Sequence, residues 1–237
     1  MAELSPLVSI VVPTLNEEQT LAGILADLRR LTVPHEVLVV DGGSEDGTVC
    51  LARRLDARVL TSARGRAVQM NAGAEQASGE WLCFFHADTR LPESSIHALE
   101  EMVRSRRGPR AAVWRLVIDS PRLWARVVET GAWVRDRAAG LPYGDQGLLV
   151  RRDLFDEVGG FPHLPVMEDV AIVRSILRRT RLRRFSQPAI SSARRWERQG
   201  TAWTFLRNVG LALAFELGIP ADRLARWHRP EPANETP

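Results

Sequence analysis

The sequence contains no lysine, only two cysteines and one tyrosine, and no long uninterrupted apolar segment. Cys50 and Cys83 fall in segments with helix and strand patterns, which argues against a disulfide framework or a cysteine metal cluster and favours reduced thiols. No apolar run approaches the ~20 residues that a membrane-spanning helix needs. The stretch MAELSPLVSIVVP has no basic region and no small-residue cleavage site, so we expect no signal peptide and a cytoplasmic location.

The absence of lysine makes arginine the only strongly basic residue, and the 32 arginines are unevenly distributed. Residues 1–100 hold 8 Arg against 14 Asp and Glu, whereas residues 101–237 hold 24 against 15. An acidic half followed by an arginine-rich half suits an anionic ligand. For runs such as RSRRGPR (104–110) a solvated surface is favoured. Nucleic-acid binding is not expected, because no recognition motif accompanies the charge.

Strand and helix patterns alternate through the first ninety residues, with short connections between them. Apolar runs predict four strands, and helical spacing predicts three helices between them: strands 7–13, 35–41, 57–62 and 80–88, and helices 17–31, 47–55 and 66–77. Continuous apolar runs are typical of buried parallel strands joined by right-handed crossovers. The fold class is therefore predicted to be α/β, a doubly wound, mostly parallel sheet.

The pattern loosens after residue 91, but it still predicts a single folded unit over residues 1–230. Helices are predicted at 92–105, 121–140 and 167–180, a strand at 110–119, and a strand, turn and short helix within 143–162. A strand, a loop and a C-terminal helix follow. We divide this unit into halves at 1–91 and 92–200 and a helical segment at 201–228, with a disordered tail at 229–237.

Polar residues follow the first two predicted strands, at the sheet edge where open α/β folds bind ligands. In VVPTLNEE (11–18), Thr14 and Asn16 can hydrogen-bond a nucleotide base, and Glu17 falls in the first turn of the next helix, where the helix dipole favours it. In VVDGGSEDGT (39–48), the Asp41 carboxylate can accept from a ribose hydroxyl or a base N–H. Gly43 permits a tight turn with close ligand approach.

Other residues of these segments have local roles in our interpretation. Glu18 is as well explained by capping as by binding, and Ser44 and Asp46 are typical cap and turn residues. Neither a G-x-G-x-x-G dinucleotide motif after the first strand nor a G-x-x-x-x-G-K-[ST] phosphate loop is present.

Two further segments complete the predicted edge. In ARGRAVQMNAGA (63–74), Arg66 at a helix N-terminus can hold a pyrophosphate with its guanidinium and the backbone amides. Asn71 and Gly73 lie on the helix face that would pack close to the sheet. WLCFFHADTR (81–90) is an apolar strand that ends in His86 and Asp88.

These four segments, in this order, resemble family 2 glycosyltransferases of the GT-A fold. PVMEDVAIVRSI (165–176) resembles that family's acidic acceptor-side motif, so the resemblance covers about residues 7–180. The spellings GRAVQMNAGA, FHADTRLP, GDQGLLVRR and SARRWERQG are similar to a short, single-domain subgroup linked to arsenosugar or selenium metabolism. This subgroup includes the selenosugar synthases of selenoneine formation.

The resemblance implies an inverting transferase with a UDP-sugar donor, either UDP-glucose or UDP-N-acetylglucosamine. It implies a nucleotide-sugar half at 1–91 and an acceptor-side half at 92–200. It also implies roles for single residues. Thr14, Glu17 and Asp41 would contact the uridine, and Asn16, Gly43 and Gln146 would be further substrate contacts. Arg66 would contact the diphosphate, Asp88 would bind a divalent Mg²⁺ or Mn²⁺, and Asp169 with Glu168 would lie at the acceptor. The subgroup implies selenophosphate as acceptor and a carbon–selenium bond in the product.

His86 departs from the family pattern, because it replaces the first carboxylate of the usual Asp-x-Asp pair. An imidazole suits Mn²⁺ better than Mg²⁺, which prefers oxygen ligands. Alternatively, His86 donates to the diphosphate and Asp88 alone holds the metal, which is the interpretation we favour.

Residues of the arginine-rich half leave alternatives open. An oxyanion acceptor would call for an arginine clamp, and five arginines flank the predicted loops, namely Arg151, Arg152, Arg194, Arg195 and Arg198. A solvated face is favoured for most of them, and Arg151 is the one that we select as a substrate contact. Trp196 suits either stacking on a sugar ring or a buried anchor.

Two other functions remain as alternatives. One is transfer to a hydroxyl of a small molecule or lipid carrier, with membrane contact through residues 200–219, although a packed helix is favoured for that segment. The other is a non-catalytic nucleotide-sugar binding protein, which the missing carboxylate at His86 would fit.

Overall fold

The computed structural model describes residues 6–105, 107–139, 142 and 144–226, so the expected disordered tail at 229–237 lies outside the described residues. In the first half of the chain, four strands alternate with three helices, as predicted. The strands are β1 (Val8–Thr14), β2 (His35–Asp41), β3 (Arg58–Thr61) and β4 (Trp81–Phe84), and the helices are α1 (Leu21–Leu28), α2 (Thr48–Arg54) and α3 (Arg66–Gln76).

The second half mixes short strands with helices of very different lengths. Its strands are β5 (Thr89–Arg90), β6 (Ala111–Asp119), β7 (Leu148–Arg151) and β8 (Leu182–Ser192). Its helices are α4 (Glu93–Arg104), α5 (Leu123–Ala139), α6 (Arg152–Val158), α7 (Glu168–Leu177), α8 (Arg194–Gln199), α9 (Thr201–Glu216) and α10 (Ala221–Ala225). A 3₁₀ turn at Gly144–Gln146 precedes β7.

All eight strands belong to one sheet, in the order β3-β2-β1-β4-β7-β6-β8-β5. The four strands of the first half pair in parallel, and so do β6 and β8. Strand β7 runs antiparallel to both of its neighbours, and β5 runs antiparallel to β8. The predicted doubly wound α/β sheet is confirmed, and it has an antiparallel insertion in its second half that the sequence did not predict.

Buried apolar clusters cover both faces of this sheet. On one face, α3 lies against β1 and β2, and Gly73 permits the close contact that we predicted. A Cβ added at Gly73 would lie 2.4 Å from Val11 Cγ1 and 3.0 Å from Val40 Cγ2. On the other, Trp114 of β6 is fully buried, with ring centroids 4.9 Å from Phe85 and 5.0 Å from Phe185.

Two predicted boundaries were wrong because of local hydrogen bonds, and one predicted loop contains a helix. Strand β4 ends at Phe84, and His86–Asp88 lie in a turn in which the Thr89 amide donates to the His86 carbonyl at 3.1 Å. Helix α1 begins at Leu21, so Glu17 precedes the helix, and its carbonyl closes a turn with the Thr20 amide at 3.0 Å. Helix α8 occupies part of the predicted loop before α9. Among the described helices, none is long and apolar enough to cross a membrane.

Candidate functional site

The carboxyl ends of β1, β2 and β4 lie at one edge of the sheet because these strands are parallel. Their register pairs Thr14 with Asp41 and Val11 with Phe84, so the loops that follow these strands are neighbours. Strand β7 is antiparallel to β4, with Phe84 opposite Leu148, and therefore its preceding 144–146 turn reaches the same edge. The four sequence motifs of the first half and the 144–146 turn of the second half thus lie near one another at this edge.

The Asp41 carboxylate stabilises the conformation of the loop after β2. Its Oδ2 accepts from the Gly43 and Ser44 amides, both at 2.9 Å, and its Oδ1 accepts from the Ser44 hydroxyl. Thr14 is buried beside it, with Oγ1 3.4 Å from Asp41 Oδ1. Gly43 has a φ of +93°, and nothing lies within 4 Å of the place where a Cβ would be, so open space adjoins this turn.

The loop after β1 is fastened to the loop after β2. Asn16 adopts a left-handed backbone with φ of 56°, its amide donates to Ser44 Oγ at 2.9 Å, and its Oδ1 accepts from the Glu45 amide at 2.9 Å. Glu17 Oε2 accepts from Thr20 Oγ1 at 2.6 Å and lies 3.8 Å from Arg194 Nη2. The side chain of Asn16 therefore has a structural role, whatever ligand the loop contacts.

Ser44 and Asp46 form local hydrogen bonds in the turn before α2, whose N-cap is Gly47. Besides its contacts with Asp41, Ser44 Oγ accepts from the Asn16 amide. Asp46 Oδ1 accepts from the Thr48 amide at 3.0 Å, at the start of α2, and although burial raises the pKa of Asp46, the hydrogen bonds from Thr48 lower it overall.

Arg66 and Glu168 form an ion pair across this edge, with Arg66 Nη1 3.3 Å from Glu168 Oε1. Arg66 is the first residue of α3 and Glu168 the first residue of α7, so the pair joins two helix N-termini. Burial raises the pKa of Glu168 and Arg66 opposes this, whereas the neighbouring Asp169 carboxylate raises it further. The pKa of Arg66 is raised overall, because the attraction of surrounding carboxylates exceeds the lowering by burial.

Asp169 and His86 converge on Gly144. The Gly144 amide donates to Asp169 Oδ2 at 2.6 Å. A Cβ added at Gly144 would lie 3.1 Å from Asp169 Oδ2 and 3.3 Å from His86 Nε2. Glycine therefore leaves room between a carboxylate and an imidazole. A narrow cavity beneath is lined by Arg66, His86 and Asp169 at its polar end and by apolar core residues such as Phe84.

Asp145 is a residue of this site that our sequence analysis missed. Its Oδ1 is buried, and no hydrogen-bond donor reaches it from the part of the chain that the structure describes. Burial raises the pKa of Asp145, Arg135 opposes this, and Asp169 and Asp88 raise it further. The signal that could have identified it is its place in YGDQG, between Gly144 and Gln146, because Gln146 was already a candidate.

Asp88 fits the role of a metal ligand. It is half-buried, and no described residue forms a hydrogen bond or an ion pair with its carboxylate. Within the described ranges, no group of three His, Cys, Asp or Glu residues could hold a metal. Mg²⁺ commonly takes one or two carboxylates and completes its shell with phosphate oxygens and water. A single open carboxylate therefore fits a metal that is held jointly with a diphosphate.

Arg151 does not lie at this edge, which corrects our prediction that it contacts substrate. It is the last residue of β7, opposite Trp81, the first residue of β4, and it forms an ion pair with Asp153 at 3.1 Å. Because β7 is antiparallel to β4, its carboxyl end lies at the amino ends of the parallel strands. Arg152 lies there too, and its Nε donates to the Gly79 carbonyl at 2.9 Å.

Three other selected residues have structural contacts. Gln146 is buried, and its Nε2 donates to the Trp114 carbonyl at 3.2 Å, which fastens the 3₁₀ turn to β6. Trp196 packs against Trp124 with ring centroids 5.7 Å apart, in agreement with a buried anchor. Arg194 Nη1 donates to Gln19 Oε1 at 2.8 Å. The side chains of Arg195 and Arg198 lie outside what the structure describes.

Comparison with known proteins places these features in a family. The family model described as "Glycosyl transferase family 2" matches residues 9–157. Glycosyltransferase AglE of Haloferax volcanii is 35% identical over 98 residues, which are 37% of this chain and 32% of AglE. The chain thus spans about a third of that relative's length.

Two solved structures share the fold. Glucosyl-3-phosphoglycerate synthase from Mycobacterium tuberculosis, in complex with Mn²⁺, UDP and glucosyl-3-phosphoglycerate, has a TM-score of 0.64 and 19% identity, with coverage of 91% of this chain and 81% of that chain. A mannosyltransferase from Pyrobaculum calidifontis, in complex with GDP-mannose and Mn²⁺, has a TM-score of 0.61 and 24% identity, with coverage of 79% and 57%. The sheet is accordingly of the GT-A type. Since the family model covers more than half of its residues, this chain belongs to glycosyltransferase family 2.

Proposed function

We propose that this protein transfers a sugar from UDP-glucose or UDP-N-acetylglucosamine to an acceptor, with inversion at the anomeric carbon and with Mg²⁺ or Mn²⁺ as cofactor. The observation that carries the proposal is the meeting of Arg66, Asp88 and the Glu168–Asp169 pair at the carboxyl edge of one nucleotide-type sheet. The family supports glycosyl transfer. The two solved relatives, which hold UDP or GDP-mannose with Mn²⁺, support the donor class and the cofactor.

On the donor side, the proposed uridine contacts are Thr14, Asn16, Glu17, Asp41 and Gly43. Open space next to Gly43 adjoins this part of the edge. Arg66 would bind the diphosphate, because a guanidinium has five N–H donors and Glu168 takes only part of them. A bound divalent metal would neutralise negative charge on the leaving diphosphate. Asp88 would contribute its open carboxylate to that metal, and His86 would donate to a diphosphate oxygen.

On the acceptor side, Asp169 is the proposed base. The Gly144 amide fixes its Oδ2 at 2.6 Å, so the carboxylate is oriented before an acceptor arrives. It would accept the proton of an attacking hydroxyl while the bond between the anomeric carbon and the diphosphate oxygen breaks. Glu168 would act through its ion pair, by holding Arg66 in place.

Two proposals for the acceptor rest on different observations. The motif spellings shared with the selenium-linked subgroup favour selenophosphate, whose selenium would form the carbon–selenium bond as UDP leaves. The concentration of carboxylates around Arg66, namely Asp88, Asp145, Glu168 and Asp169, favours a neutral hydroxyl, since these groups would repel an anion. With selenophosphate the nucleophile is already ionised, and Asp169 would orient the acceptor instead of deprotonating it.

A turnover assay distinguishes these proposals. Purified protein would be incubated with each UDP-sugar, Mn²⁺ or Mg²⁺, and either selenophosphate or a panel of hydroxyl acceptors, and UDP release and product mass would be measured. Release that requires selenophosphate and yields a selenium-containing sugar supports the first acceptor. UDP release that requires a hydroxyl compound and does not depend on selenophosphate supports the hydroxyl acceptor. Tight UDP binding without turnover with any acceptor would contradict the proposed transfer and favour a nucleotide-sugar binding protein.

A further inference from the structure

Helix α5 exposes an apolar face although it is firmly packed on the sheet. Its inner side buries Ala125, Val128 and Ala132 in a cluster with β6. Its outer side exposes four large apolar residues, which share one side of the helix at the spacing of 3.6 residues per turn: Leu123, Val127, Trp133 and Val134. Leu123 is 79% exposed and Trp133 is 53% exposed. Single exposed apolar residues are ordinary, but a continuous set of this kind marks an interaction surface.

The charges of α5 are arranged so that only cations reach this outer side. The helix has two acidic residues, and both are turned inward. Glu129 Oε1 accepts from the Ile118 amide at 2.8 Å, and Asp136 is buried, with its carboxylate 2.8 Å from Arg184 Nε. In contrast, Arg137 is exposed and lies over the Trp133 ring, 5.4 Å from its centroid. The outer face therefore combines aliphatic residues, a tryptophan and arginine without a carboxylate.

Helix α9 also exposes large apolar residues, but no exposed arginine accompanies them among its described side chains. Its inner side packs through Leu211 and Ala214, as predicted for a packed helix. Its outer side exposes Trp203 to 64% and Leu213 to 59%, and Leu217 follows at 83%. Helix α8 precedes α9 directly and contacts α5 through the Trp124–Trp196 pair.

We propose that the outer face of α5 docks this protein on an anionic lipid bilayer, with the helix in the headgroup region. An interfacial helix of this type has Leu, Val and Trp on the side that enters the lipid, and basic residues beside them. Each arginine near an anionic surface adds about fivefold in affinity, and the attraction declines with salt. A second copy of this chain is disfavoured as occupant, because two such faces would bring arginines together.

Vesicle binding tests the proposal with the intact protein. We expect co-sedimentation with phosphatidylcholine vesicles that contain phosphatidylglycerol, weak binding to pure phosphatidylcholine, and a reduction in high salt. The double variant Leu123→Glu/Val134→Glu should lose binding. Arg137→Glu should weaken it by about tenfold or more. Arg53→Glu on α2 is the matched control, since this residue is also exposed, and it should bind nearly as the parent protein does.

Each contrary result overturns the proposal. Failure of the parent protein to bind anionic vesicles, or equal binding by the double variant, would reject docking through this face. A dimer in solution that the double variant dissociates, without vesicle binding, would assign the face to a second copy. Circular dichroism of each variant would show that it is folded. The assay needs no sugar transfer, so its failure and a failure of the proposed glycosyl transfer are separate results.

Discussion

Four carboxyl groups, those of Asp88, Asp145, Glu168 and Asp169, lie within electrostatic range of Arg66. A cluster of like charges is unfavourable unless cations accompany it, because each carboxylate raises the pKa of its neighbours. Here one arginine supplies part of the compensation, while burial, and to a smaller degree the Asp169 carboxylate, keep the pKa values of Glu168 and Asp145 raised. At the scale of single residues, the site therefore favours ligands that bring positive charge, as a divalent metal does.

Replacing Asp169 by Asn tests the proposed base. The amide keeps the shape of the carboxylate but cannot accept a proton, so we expect kcat with a hydroxyl acceptor to decrease by about 10²–10⁴-fold, while the Kd for UDP stays nearly constant. With selenophosphate the decrease should be smaller, because an ionised nucleophile needs no base. Steady-state kinetics and UDP titration give both values.

The matched control is Asp153→Asn, which alters an exposed carboxylate at the opposite edge of the sheet. It should leave kcat unchanged. Full activity of a folded Asp169→Asn protein would end the assignment of Asp169 to the acceptor side.

Among the elements, α3 determines how close the loops after β1 and β2 come to one another. Its Gly73 touches the sheet, and the Gln69 amide donates to the carbonyls of Thr14 and Val40, both at 2.8 Å, at the ends of β1 and β2. The helix thereby fixes the positions of both strand ends and also of Arg66, its own first residue.

We expect Gly73→Ala to destabilise the protein. An added methyl group would meet Val11 at 2.4 Å, and overpacking of this kind typically costs about 1–3 kcal/mol. Gly210→Ala in α9 is the control, since nothing lies within 4 Å of its Cβ position and alanine is favoured over glycine in a helix by about 1 kcal/mol. Urea unfolding should show a lower free energy of unfolding than that of the parent protein for the first variant only. Equal stability of the two variants would contradict the close packing.

Glu36 connects β1, β2 and the turn before β4. Its Oε1 accepts from Ser9 Oγ at 2.6 Å and from the amide and hydroxyl of Ser78, both at 2.7 Å, and Arg58 lies 3.6 Å from Oε2. Burial raises the pKa of Glu36, but these hydrogen bonds and Arg58 lower it overall. Because the folded pKa lies below the unfolded value, the carboxylate stabilises the fold above the unfolded pKa, and this stabilisation is lost as pH falls through the folded pKa.

Glu36→Gln should therefore lower the free energy of unfolding at pH 7 by about 1.5–3 kcal/mol, the usual range for hydrogen bonds to a charged group. The difference from the parent protein should shrink as the pH is lowered into the acid range. Urea unfolding at several pH values measures this. Glu75→Gln, at an exposed position of α3, should change stability by less than about 0.5 kcal/mol. A difference for Glu36→Gln that does not depend on pH would contradict the charged role of Glu36.

At the scale of the whole molecule, the sheet topology brings distant segments to one binding edge. Gly144 and Asp169 come from the second half of the chain, and they meet His86 because β7 is inserted next to β4 in the antiparallel direction. Ligand binding to such an edge involves both halves and should therefore stabilise the folded protein as a unit.

UDP with Mn²⁺ should raise the melting temperature by about 5–10 °C at a concentration of about 100 times Kd, because binding to the native state adds about 2.7 kcal/mol and each kcal/mol corresponds to about 2–4 °C for a chain of this size. Differential scanning fluorimetry measures the change, with ADP and Mn²⁺ as the control. Asp88→Ala should remove the part of the shift that depends on metal. Full retention of this metal-dependent shift in the variant would exclude Asp88 as the metal ligand.

Local patterns in the sequence determined most of the elements. Apolar runs and helical periodicity depend only on neighbours along the chain, so the alternating first half, the Pro92 start of α4 and the left-handed Gly159 after α6 could all be predicted. Motif residues at strand ends were also predictable, since parallel strands with helical crossovers share one carboxyl edge. For that reason the sequence alone identifies Thr14, Asp41 and Arg66 as candidates for this edge.

Only the tertiary structure decided which residues of the second half reach that edge. The direction and position of β7 removed Arg151 from the site and brought Asp145 into it, although Arg151 is only six residues away in sequence. The contacts between Arg66 and Glu168 and between Gly144 and Asp169 join segments that are far apart in the chain. Strand order and direction depend on long-range packing and on backbone pairing between distant segments, which leave no periodic signal in the sequence.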